Sequence, residues 1–72
     1  MKVKVRFNKN RGQRGTVDHV WRVFAGSKEY LAKHVILDVP SHGERDGEDW
    51  NIVCEGDLQI DRQTATIRVA PL

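Results

Sequence analysis

Cysteine occurs once in this 72-residue chain, at Cys54, and a lone thiol closes no internal disulfide. The disulfide-stapled secreted mini-proteins are thereby excluded. Serine is confined to Ser27 and Ser41, and neither lies in a GxSxG nucleophile elbow. Proline occurs twice and the aromatics are five, 7% of the residues. No apolar run approaches the roughly 18 residues of a membrane-spanning helix. The start of the chain, MKVKVRF, lacks the apolar core of a signal peptide. The expectation is one soluble cytoplasmic domain over residues 1–72, with no second domain and no large catalytic cleft. A domain of this size buries only about 60% of its unfolded surface, so it needs an economical fold or a second copy of itself.

What is present is charge and β-branching. Charged residues make up 31% of the chain and the net charge is +2. That balance hides a gradient. Residues 1–24 carry seven cations against Asp18, whereas residues 38–61 carry eight carboxylates against Arg45. Such a gradient creates a basic face for an anionic partner, or else the two regions pair within the fold or across a dimer. Nine valines, four isoleucines and three threonines favour a pleated surface over a helix.

Lys2 to Phe7 alternates without a break, Val3, Val5 and Phe7 against Lys2, Lys4 and Arg6, which is the pattern of a half-buried strand. Asn8 to Gly15 reads as a basic, glycine-containing loop. Thr16 to Ala25 reads as a second strand, closed by a Gly26-Ser27 turn. Residues 29–39 read as a third strand, stopped by Pro40. Ser41 to Asp49 (SHGERDGED) reads as an exposed acidic loop. Trp50 to Cys54 continues the strands, Gly56 suits a bulge or bend, and Ala65, Ile67 and Val69 alternate inward on the last one. The fold class is therefore all-β, five or six strands in an antiparallel meander, a small open barrel or a compact sandwich.

The second and third strands are apolar on both sides, where a small sheet should be apolar on one. Either curvature covers the second face, or a second copy does. The latter assigns Val20, Phe24, Tyr30 and Ile36 to an oligomer interface, with a dimer the commonest form.

Reactive groups are sparse. Ser41-His42 are neighbours in a turn and poorly placed to face each other. Cys54, among inward residues, reads as a small buried hydrophobe rather than a thiolate nucleophile. His19, His34 and His42 show no metal-ligand spacing, and the Asp46–Asp49 run lacks the ligand order of an EF-hand. No catalytic residue, metal or cofactor is assigned. Anion binding has more support. Lys4, Arg6, Arg11, Arg14, Arg22 and Lys33 form a candidate surface for a nucleic acid or nucleotide, although the loop is not a P-loop and the aromatic RNA-binding signature is missing. Lysines on a strand also protect a sheet edge from aggregation.

The runs Trp21-Arg22-Val23-Phe24, Glu29-Tyr30-Leu31-Ala32-Lys33-His34, Val39-Pro40-Ser41 and Trp50-Asn51-Ile52-Val53-Cys54-Glu55-Gly56 resemble a pattern in small proteins of tailed cyanobacterial phages, over residues 21–61. Asp38 stands where that pattern has Asn as often. The resemblance implies an accessory protein made in an infected bacterium and acting by binding. It draws Trp21, Tyr30, Lys33, His34, Trp50, Asn51, Cys54 and Glu55 into consideration, with Asn51 and Glu55 expected on an exposed polar edge.

The combined expectation is a non-enzymatic, self-associating module that occupies or sequesters a host protein. The alternative is a binder of an anionic ligand, and no membrane association is expected.

Overall fold

The computed structural model describes residues 1–9 and 20–72, and alternation of apolar side chains sets its strands directly. Strand β1 (Lys2–Phe7) buries Val3 and Val5 and turns its cations outward. Strand β2 (Trp21–Ala25) buries Val23 and Ala25. It joins β3 (Lys28–Ala32) through Gly26-Ser27, where Gly26 takes the positive φ of 61° that a two-residue hairpin favours. The chain continues through β4 (His34–Leu37), β5 (Ser41–Asp46), β6 (Asp49–Glu55), β7 (Asp57–Asp61) and β8 (Thr66–Ala70). The described chain thus has eight strands, where the sequence pattern suggested five or six.

These strands form two sheets. The larger has the order β3-β2-β1-β6-β5, the smaller β4-β8-β7. All pairs are antiparallel except β4 with β8, which run parallel. Val3, Val5, Val23, Ala25, Ala32 and Cys54 from the larger sheet meet Ile67 and Val69 from the smaller in one core. The architecture is all-β and sandwich-like, with no closed barrel. Among the described residues no helix is long and apolar enough to cross a membrane.

The expected single strand over residues 29–39 is two strands in different sheets. At Lys33 the chain turns a corner, and the amides of Lys33 and His34 both donate to the carbonyl of Ala65 at 2.8 and 3.3 Å. The inward parity changes there. Tyr30 and Ala32 pack on the core before the corner, Val35 and Leu37 after it. The two-sided apolar pattern of this region is the record of a strand that changes sheets. Strand β1 is the central strand of its sheet, so Lys2, Lys4 and Arg6 are not edge-protecting lysines and arginine.

The segment expected as an acidic loop, residues 41–49, is strand β5 and its turn into β6. Gly47, at a φ of 64°, forms a two-residue turn with Glu48. Polarity misled here because β5 is an edge strand, exposed along most of its length, with little apolar surface to bury. Gly56 does mark a corner, from β6 into β7. A Cβ there would stand 2.4 Å from the Ala70 carbonyl oxygen and 2.8 Å from a Val69 methyl, so only glycine lets the two sheets close.

Candidate functional site

Two surfaces of the larger sheet carry chemistry. The first is its outer face. Residues opposite one another in an antiparallel pair share a face, which sets Lys4 beside Phe24 and Arg6 beside Arg22. The guanidinium carbons of Arg6 and Arg22 lie 5.0 and 5.1 Å from the centre of the Phe24 ring, within cation–π range. Lys2, Lys4, Arg6, Phe24 and Gly26 line a shallow groove of 340 Å³.

Much of this positive charge is answered inside the fold. Arg22 donates two hydrogen bonds to the Glu29 carboxylate, at 2.9 and 3.3 Å. Hydrogen bonding to Glu29 raises the guanidinium above its ordinary pKa against the opposing cost of burial. Arg6 lies 3.7 Å from Asp46 and 3.5 Å from Asp49. Lys9 pairs with Asp49 at 3.0 Å. The hydrogen bond from Lys9, with the charges of Lys9, Arg6 and Arg22, holds the Asp49 carboxyl below the usual range although burial opposes it. The basic start of the chain therefore meets the acidic hairpin β5–β6. Lys2 and Lys4 form no ion pair among the described residues.

The second surface lies on the other face, at the end where β1 finishes and β2 and β6 begin. Register sets Ala32 beside Trp21 and Trp21 beside Phe7, and on the far side Trp50 beside Arg45. Val5 opposite Ile52 carries the same face across the β1–β6 seam, so Phe7 and Trp50 extend one row. The Phe7 and Trp21 rings meet edge to face with centroids 5.8 Å apart. The Arg45 guanidinium lies 5.0 Å over the Trp50 ring. Trp50 is 60% exposed, Phe7 50% and Ile52 39%, and none of the three belongs to the core that the two sheets share.

The six cations assigned from sequence separate. Lys4, Arg6 and Arg22 share the outer face, Lys33 sits at the corner between sheets, and Arg11 and Arg14 lie outside the described residues. Val20, Phe24, Tyr30 and Ile36 do not make one face. Val20 precedes β2, Phe24 is outward between two guanidiniums, Tyr30 packs on the core, and Ile36 is exposed on the outer side of the smaller sheet. Of the residues drawn in by the phage-like pattern, Glu55 is exposed and His34 is exposed on β4. Asn51, expected exposed, is 1% exposed and accepts a hydrogen bond from Arg6. Cys54 is buried, and burial raises its thiol pKa. Among the described residues no three His, Cys, Asp or Glu side chains gather as a metal site.

Sequence reasoning drew in Trp21 and Trp50 through the resemblance but did not join them with Phe7 as an exposed row. Trp50 and Ile52 share parity with Cys54, and parity alone does not say where the covering layer stops. No family model, no curated protein and no solved structure matches the chain.

Proposed function

We propose that the chain is a non-enzymatic binding module whose working surface is the row Trp21, Phe7, Trp50 and Arg45, with Ile52 beside it, and whose partner is a protein. The observation that carries this reading is the exposure of Trp50, Phe7 and Ile52 as neighbours on one sheet face. Contiguous exposed apolar surface marks interaction sites, and Trp and Arg dominate the binding energy of protein interfaces. The module acts by occupancy, and its resemblance to small cyanophage proteins directs the search to a cyanobacterial host.

The test is capture from a cyanobacterial lysate on immobilised chain, followed by affinity measurement with the purified captured protein. Binding should change little between about 0.1 M and about 1 M salt. It should weaken by about tenfold or more in Trp50→Ala. Equal binding by the variant sinks the reading.

A second reading has its own observation. Lys2 and Lys4 present ammonium groups to the 340 Å³ groove beside Phe24, a setting suited to an anionic ligand such as a nucleotide or single-stranded nucleic acid. Binding of a nucleotide or an oligonucleotide that falls steeply with salt and is lost in Lys2→Ala/Lys4→Ala would favour it.

A further inference from the structure

From the free edge of β5 we infer that the chain pairs with a second copy of itself through this strand, antiparallel and centred on Gly43, joining two five-stranded sheets into one. Strand β5 ends its sheet, and Ser41, His42, Gly43, Arg45 and Asp46 are exposed. The turn at Gly47-Glu48 makes Asp46 and Asp49 the closing pair of a two-residue hairpin, which exchanges both backbone bonds. Alternation then commits the amides and carbonyls of His42, Glu44 and Asp46 to β6. Those of Ser41, Gly43 and Arg45 point away from it.

Charged residues on an edge strand ordinarily keep copies apart. In β5 the character alternates so that one register fits. Centred on Gly43, it sets His42 of each copy opposite Glu44 of the other, an imidazole facing a carboxylate, and Ser41 opposite Arg45. The backbone groups left free are then the ones that bond, about six N–H···O bonds in all. Within one chain His42 Nε2 already lies 3.6 Å from Glu44, so both side chains stand on the same face, as the cross-strand pairing requires. Gly43 places no side chain at the axis, and Trp50 lies over it on the inner face, where an added Cβ would come within 3.2 Å of the indole. The other edges offer no such register. Strand β7 centred on Gln59 opposes Asp57 to Asp61, β3 centred on Tyr30 opposes Glu29 to Leu31, and β4 has four residues.

This pairing bonds through the backbone edge of β5, whereas the proposed partner surface uses side chains on the inner face; Arg45 belongs to both, and Trp50→Ala tests the partner surface by its binding to another protein. Light scattering on the full chain, from about 10 μM to about 1 mM, should show twice the 8.3 kDa chain mass at the upper end. His42→Glu sets like charges at both symmetric positions and should weaken dimerisation by about 30-fold or more, and Glu44→Lys, which takes the carboxylate away from each imidazole, should weaken it as well. The double variant H42E/E44K exchanges the charges in place and should dimerise again. Circular dichroism confirms that each variant folds. In the wild-type dimer the amides of Ser41, Gly43 and Arg45 should exchange slowly and become fast on dilution, a reading that needs no variant. A mass of 8.3 kDa at every concentration overturns the inference, as does a dimer that both single variants leave intact or whose three amides exchange freely.

Discussion

The Nε–H of Arg6 on β1 donates to Oδ1 of Asn51 on β6 at 2.8 Å, while Nδ2 of the same buried amide has no hydrogen-bond partner among the described residues. A charged donor thus secures half of an amide that is 1% exposed. The same guanidinium spans Phe24, Asp46 and Asp49, so it ties β2, β1, β6 and the β5–β6 hairpin across the outer face.

Arg6→Met should therefore lower the unfolding free energy by about 2 kcal/mol, because it orphans the second polar atom of a buried amide. Asn51→Leu should cost less, since it removes both amide atoms and leaves Arg6 its carboxylates. Urea denaturation of the two variants ranks them, and the reverse order contradicts this account.

Gly56→Ala should be among the most damaging single methyl additions. The new carbon meets the backbone of Ala70 at 2.4 Å, and a backbone atom yields less readily than a side-chain tip. A loss of about 3 kcal/mol is expected, at the upper end of overpacking costs. Thermal unfolding reads it directly.

Ala65→Gly should act in the opposite direction. Ala65 holds a φ of 52°, in the left-handed region that costs a Cβ-bearing residue about 1 kcal/mol. Its carbonyl must stay there to receive the amides of Lys33 and His34 at the corner. A gain of about 1 kcal/mol in urea denaturation is the expected outcome, and a loss would show that the turn carries no such strain.

Burial raises the Cys54 thiol above its ordinary pKa. The unfolded chain then ionises first, and stability present at lower pH is lost as the pH rises beyond about 8.5, the usual thiol value. The decline should be shallower in Cys54→Ala. A maleimide should label the native protein slowly and the urea-unfolded protein fast, and rapid native labelling would contradict the buried position.

Asp49 behaves with the other sign. Its carboxyl is held low by the Lys9 hydrogen bond and by the charges of Lys9, Arg6 and Arg22, so its contribution is present above the ordinary carboxylate range and is lost on acidification. Lys9→Ala should move the Asp49 titration upward, as followed by the carboxyl carbon resonance. An unchanged midpoint would mean that Lys9 does not hold it.

Local chemistry determined much of this protein by itself. Period-two alternation marked β1, β6 and β8, Gly26-Ser27 marked the hairpin, and Gly56 marked the bend, because each depends on neighbours in the chain and on the few backbone angles a residue type allows. The all-β class followed from the same signals. Only the tertiary structure decided which residues a second layer covers. It divided residues 29–39 at Lys33 between two sheets, made a strand of polar β5 by pairing it to β6, and paired β4 in parallel with the distant β8. It buried Asn51 beneath Arg6 and left Trp50 and Phe7 at least half-exposed. Burial is a property of what packs above a side chain, and for these residues that neighbour lies far along the chain, where no local pattern reaches.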